Sequence, residues 1–247
     1  MAGLTYTTYK TQIAEMAVVA EDDPNFLAIL PMMIDYASLR ICRDLDLIAT
    51  SVSLHGASYK LTAGNRNLSF SQDLGNGTSF VVSEQINLIL NATVPYDPDT
   101  GTRVPLMPTT KEFLDAVYGS ALSANRGQPK YFVPFNETLF FVGPTPAIDY
   151  DVEVVGTIRP APLSETVPTT FISQYLPDML VMASMVYISA YQRNFGKESD
   201  DPQMAQSYET QYTTLRQSAM VEEARKKFEG SAWSSQSPAI VASPTRG

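Results

Sequence analysis

The chain has 247 residues, 44% of them hydrophobic and 17% charged, so it can bury a substantial core and is globular. Its net charge is −9, from 17 Lys and Arg against 26 Asp and Glu, which argues against a protein that grips nucleic acid by neutralising phosphates, though not against one that DNA merely passes. One Cys and one His exclude an internal disulfide and any site built on two His ligands.

The opening residues, Met1 to Tyr6, lack a basic region followed by an apolar run, so no secretory signal is expected. The Asn-x-Ser/Thr triplets at Asn67, Asn76, Asn91 and Asn136 therefore read as turn chemistry. Thr7 is expected to cap a first helix with Tyr9, Ile13, Met16 and Ala20 on one face. Asp23-Pro24 is a second helix start, with Asp as cap and Pro at the first helical position. Leu30, Ile34, Ala37, Ile41, Leu45 and Ile48 then follow at steps of three or four, with Pro31 inside the first two turns. The opposite face carries Asp35, Arg40, Arg43 and Asp46.

From Ala49 to Arg159 the pattern changes to short strands. They are expected at Ser51–Leu54, Ser58–Leu61, Leu68–Ser71, Phe80–Val82, Ile86–Leu90, Lys130–Val133, Leu139–Val142 and Tyr150–Val155. Turns fall at Asn65-Arg66, Gly75-Asn76-Gly77 and Asp97 to Gly101, and Asn136-Glu137 reads as a hairpin. One short helix, Thr110 to Tyr118, interrupts.

Helices return after Pro168. One turn is expected at Phe171–Tyr175, a long helix from Pro177 to about Asn194 with Gly196 as its stop, and a last helix from Asp201-Pro202. The last helix lines up Met204, Tyr208, Tyr212, Leu215, Ala219 and Glu222 or Glu223. Between Met179 and Tyr191 no face is polar. Such a helix is either the centre of a bundle or covered by another subunit. The stretch is shorter than the roughly 20 residues a bilayer needs, so no membrane partner is expected. Met182, Met185, Tyr187, Tyr191, Tyr208 and Tyr212 are the candidate subunit contacts, because Met packs adaptably and Tyr is favoured at interfaces. The expected fold is α+β. Residues 1–48 and 169–229 form a helical bundle, 49–168 a β-rich insertion, and 230–247 an extended tail of Ser, Pro, Ala and Gln with one Trp.

Reactive chemistry is sought without success. His55 before Gly56 has no nucleophile elbow to serve and reads as a surface His. Cys42 beside Arg43 reads as an unreactive helix Cys. Asp97-x-Asp99-x-Gly101 starts like a calcium loop but has Pro108 where the bidentate Glu belongs, so it reads as a turn. Asp149, Asp151 and Glu153 share a strand face, which reads as solvated and not as an acid pair. Gly75-Asn76-Gly77 lacks the Lys of a phosphate loop. No catalytic residue, metal or cofactor is expected.

Gln128-Pro129-Lys130-Tyr131-Phe132, Leu139-Phe140-Phe141, Pro144-Thr145-Pro146 and Tyr150 to Val154 form one ordered series. It continues through Arg159-Pro160, Leu163-Ser164 and Leu176-Pro177-Asp178-Met179-Leu180. With the paired helices Thr7–Ala20 and Pro24–Leu47, Arg43-Asp44-Leu45, and Lys111-Glu112-Phe113-Leu114, this order resembles the head-to-tail adaptors of short-tailed bacteriophages, the tubular-protein-A or gatekeeper-like family. The likeness spans about 220 residues and departs between Gly56 and Pro108. It implies a virion protein, made in the host cytoplasm and placed at the capsid vertex. A ring of usually twelve copies would sit under the portal protein, extend the DNA channel and dock a tail tube or nozzle protein. The family's C-terminal segment often reaches towards the portal. Here that is Gly230 to Gly247, with Trp233 as anchor and Pro238, Ile240 and Val241 beside it. The rival readings are a receptor- or carbohydrate-binding β-rich module and a tail-associated hydrolase.

Overall fold

The structure, a computed structural model, describes residues 3–192 and 202–230, with the backbone alone at 190–192, 202–205 and 228–230. Helix α1 spans Tyr6–Met16. Its cap is Thr5 and not Thr7: Thr5 Oγ1 accepts the Thr8 N–H, and Thr8 Oγ1 accepts the Thr5 N–H at 2.9 Å. This is a reciprocal capping box in which Thr replaces the usual Glu. Helix α2, Pro24–Asp44, starts as expected, with the Asp23 carboxylate accepting the N–H groups of Asn25 and Phe26 at 2.8 and 3.0 Å. Pro31 lies inside α2 on its exposed side.

The expected run to Ile48 stops early. Leu45 leaves the helix in extended geometry, and Ile48–Thr50 form a 3₁₀ turn. The reason is burial. Leu45 and Leu47 are both inside, and a spacing of two suits extended backbone rather than a helix. Ile48, the sixth member of the expected stripe, is exposed, and its N–H is accepted by Glu223 at 3.1 Å.

The middle folds as two sheets. In the first, β1 (Ser51–Leu54), β10 (Tyr150–Arg159), β5 (Thr78–Leu90) and β4 (Asp73–Gly75) run in that order. β2 (Lys60–Leu61) adds to β10 and β6 (Thr102–Pro105) to β5. The second has the order β3 (Asn67–Ser69), β9 (Leu139–Gly143), β8 (Tyr131–Pro134) and β7 (Met107–Pro108). All pairs are antiparallel except β7 with β8. The Phe70 ring joins the sheets, edge-on to Phe80 of β5 at 5.2 Å and stacked on Phe140 of β9 at 5.5 Å.

Two expected strands, Phe80–Val82 and Ile86–Leu90, are one strand, β5. Its polar middle, Ser83-Glu84-Gln85, looked like a break. Instead the strand runs through it, slipping register with β10 there at Glu84 and again at Val81, both left unmatched. Strands β4, β6 and β7 were not expected, since each is too short or too polar for alternation to mark it. The Gly75-Asn76-Gly77 turn joins β4 to β5 with all three residues at positive φ.

Gly156 of β10 fits because nothing larger would. A Cβ there would lie 2.0 Å from the Val82 carbonyl oxygen and 2.7 Å from the Phe80 ring. Gly156→Ala is expected to cost at least about 1–3 kcal/mol through forced strand separation. A lowered urea midpoint would register it, and an unchanged midpoint would show that the strands give way freely.

Helix α3, Lys111–Tyr118, capped by Thr110, sets buried Leu114 against β9. Helix α4 (Phe171–Tyr175) follows, then α5 (Pro177–Gln192) and α6 (Pro202–Gly230). Gly196 lies outside the described residues. Helix α5 packs on α1, α2, α4 and α6, and every residue from Met179 to Ser189 is buried or half-buried. Over Met179–Ser189 the chain therefore covers most of this apolar helix itself, leaving Met182, Val186 and Tyr187 half-buried. The helices share one apolar core and the two sheets another. At 21 residues α2 is long and apolar enough, by length and composition, to cross a bilayer, a test that core helices also pass. Its stripe from Leu30 to Ile41 is buried in the helical core.

Candidate interaction surfaces

Helices α2 and α6 meet along a polar seam. The Arg40 guanidinium donates to both Glu209 carboxylate oxygens, at 2.8 and 2.5 Å, and lies 4.0 Å over the Tyr212 ring. The Tyr212 hydroxyl donates to Asp44 Oδ2 at 2.8 Å, and Arg216 stands 3.8 Å from the same carboxylate. Hydrogen bonding to Arg40 holds the Glu209 carboxyl below the usual range, and burial pushes the Tyr212 hydroxyl up. Arg40 is thus engaged by a neighbouring helix and does not stand on an open face.

This placement divides the six candidate subunit contacts. Met185 is 1% exposed and Tyr212 0%, so both are used inside the subunit's own core. Met182, Tyr187 and Tyr208 are half-buried at the rim of that core, with the Tyr187 ring 5.6 Å from Tyr36. The Tyr191 side chain lies outside the described residues. So do Trp233, Pro238, Ile240 and Val241.

The larger surface signal was not read from sequence. Between Gln206 and Val221 every exposed side chain of α6 is uncharged, among them Thr210, Gln211, Thr214, Gln217 and Met220. The charged residues of that stretch, Glu209 and Arg216, turn inward to Arg40 and Asp44. The outer side of α2 exposes Leu27, Ala28, Pro31, Met32 and Tyr36, with Asp35 the one exposed charge before Arg43 in the last turn. Counting charge only at exposed positions would have found both faces, but that needs the burial pattern first.

A second patch lies at the edge of the β7–β8 sheet. Met107 pairs in register with Tyr131, whose ring is 5.4 Å from Phe113 and 5.9 Å from Tyr118. Val117 and Leu122 are exposed nearby in sequence.

The acidic strand face is solvated as expected at Asp149, but Asp151 is half-buried and Glu153 buried. Glu153 is 3% exposed, and its carboxylate accepts from Ser53 Oγ at 2.7 Å, Asn87 Nδ2 at 2.8 Å and Arg103 Nε at 3.0 Å. Asp151 accepts the Tyr96 N–H and Asp149 the Ala63 N–H. Each carboxylate pins a neighbouring strand or loop: β1 and β5 flank β10 in the same sheet, β6 lies beyond β5, and side chains from all three meet Glu153. Asp97 accepts the Asp99 N–H and Asp99 pairs with Arg103, the chemistry of a turn. His55 is exposed, its Nδ1 3.0 Å from the Tyr96 carbonyl oxygen. Burial pushes the Cys42 thiol up, against the pull of nearby Arg159. Among the described residues no three His, Cys, Asp or Glu side chains stand together to hold a metal.

A cleft of about 450 Å³ opens where the end of α2 meets β5 and β10. Cys42, Arg43, Leu45 and Asp46 line one side, and Val81, Val82, Glu84, Ile158 and Arg159 the other.

The described surface thus carries two helix faces poor in exposed charge, an aromatic patch and the cleft. The sequence profile of the SU10 adaptor protein family matches residues 4–240. The chain belongs to that family and is a phage head-to-tail adaptor, a structural protein of the virion. No curated protein matches it.

Proposed function

We propose that the protein forms a ring, of twelve copies, beneath the portal, extends the DNA channel and docks the tail tube or nozzle protein. In this reading residues 1–48 and 169–229 are the ring-forming helical bundle, 49–168 the β-rich insertion, and 230–247 the arm towards the portal. The observations that carry it are the stretch of α6 from Gln206 to Val221, which exposes no charge, and the apolar outer side of α2 from Leu27 to Tyr36. Copies of net charge −9 repel one another overall, and faces without exposed charge add nothing to that repulsion at close approach. The same acidity suits a lumen in which DNA slides without sticking.

The test is the particle mass of the purified protein with and without portal, joined to negative-stain microscopy. Rings that cap the portal support the reading, and monomers that ignore the portal defeat it. Deleting Gly230 to Gly247 is expected to weaken portal attachment while leaving the subunit folded. Portal binding as strong as the full chain's would remove the arm from this role.

One observation favours a second reading. The Phe113, Tyr118 and Tyr131 cluster beside Met107 could stack against sugar rings as a receptor-binding module would. Glycan-array binding lost on Tyr131→Ala would support it.

A further inference from the structure

We propose that the cleft between the end of α2 and the β5–β10 pair is a peptide-binding site, and that its occupant is this chain's own segment after Gly230, seated by Trp233.

The cleft is built to take a peptide. Its apolar surface comes from Leu45, Val82 and Ile158, and Val82 stays 52% exposed although it lies well inside a thirteen-residue strand. Arg43 and Arg159 face the same space. Among the described residues neither has an ion pair, and the Arg159 Nε is buried with no acceptor. Arg159 is half-buried, and the terminal N–H groups of its guanidinium can donate to a peptide carbonyl in the cleft. The two register slips of β5 fall at Val81 and Glu84, both in the cleft wall, and bulges of this kind mark places where a sheet is shaped for contact.

The route of the chain selects the occupant. Helix α6 runs alongside α2 in the same direction. Glu209 pairs with Arg40, Tyr212 with Asp44, and Lys227 with Asp46, which itself lines the cleft. From Lys227 the chain needs three helical residues to Gly230 and three more to Trp233. That span reaches about 15 Å, at about 1.5 Å per helical and about 3.5 Å per extended residue. Residues 231–247 contain no Asp or Glu, so Asp46 and Glu84 at the rim do not repel them. An indole suits the floor, with apolar area for Val82 and Ile158 and a π face for a guanidinium.

The inference does not rest on portal attachment. The site fills in the isolated subunit, and a portal that captures the arm must first lift it out. Trp233 is the only Trp, so fluorescence of the full chain excited at the red edge, where the 13 tyrosines do not absorb, reports on it alone. The expected result is blue-shifted emission poorly quenched by acrylamide. Val82→Asp and Arg43→Glu, both at exposed positions, are expected to move the emission to the red and raise quenching several-fold. Circular dichroism should stay unchanged. Three results would overturn the proposal: red emission in the unaltered protein, blue emission that neither variant moves, or a blue shift that vanishes on dilution as a larger species dissociates. The last would assign the site to another copy's segment. Portal binding, measured separately, can succeed or fail without altering any of these.

Discussion

Replacing Tyr212 with alanine is expected to destabilise the isolated subunit by about 3–5 kcal/mol. The side chain is fully buried, carries the Arg40 guanidinium on its ring and donates to Asp44, so truncation removes core volume and leaves Arg40 and Asp44 half-buried with fewer partners. The hydrogen bond alone is worth about 1 kcal/mol, so the cavity dominates. Tyr208, half-buried at the rim, should lose only about 1 kcal/mol on the same change. Urea unfolding of the two variants, read beside particle mass, separates core from contact. An unchanged midpoint with broken assembly for Tyr212→Ala would return that residue to the interface.

Glu153→Ala is expected to cost about 2–4 kcal/mol at neutral pH, from loss of the hub that joins β1, β5, β6 and β10. The buried Asn87 amide loses its acceptor, and that desolvated group matters more than the half-exposed Arg103, which water solvates in exchange. Burial pushes the Glu153 carboxyl up, but hydrogen bonds from Ser53, Asn87 and Arg103 outweigh it and hold the group below its ordinary range. A lowered folded value means that the stabilisation is fully present above the unfolded value of about 4.3 and fades as pH falls through the folded one. The gap between wild type and variant should therefore be flat above about pH 5 and shrink below about pH 4. Urea midpoints across that range check it, and a gap independent of pH would show that packing rather than charge holds the site.

The helices were the legible part of the sequence. Asp23-Pro24 and the stripe from Leu30 to Ile41 state a cap and a face outright, and α2 obeys them. The sheets were less so. Ser83-Glu84-Gln85 reads as a break because local alternation cannot encode a strand that slips register, and β7 is two residues held in place by a distant parallel partner. Glu153 misled for a related reason. Its alternation with exposed Asp149 and half-buried Asp151 gives the correct face, but side chains from strands far away in sequence bury Glu153 itself. The contact surfaces were least legible. Tyr212 looks like Tyr208 in sequence, and only the fold places one inside and the other at the rim.

The helical core draws on both ends of the chain, with Tyr9 from α1 bonded to Ser184 of α5 and Leu30 of α2 in the same core as Leu180. During synthesis the stripe of α2 must therefore wait for about 150 residues more before its partner exists. At about 5–20 residues per second that delay is about 8–30 s. Through it the nascent chain displays an unpaired apolar helix, while the sheets that follow can already close around Phe70 and Phe140. The ribosome thus delivers the β-rich middle first and the helical core last, with α2 in need of shelter in between.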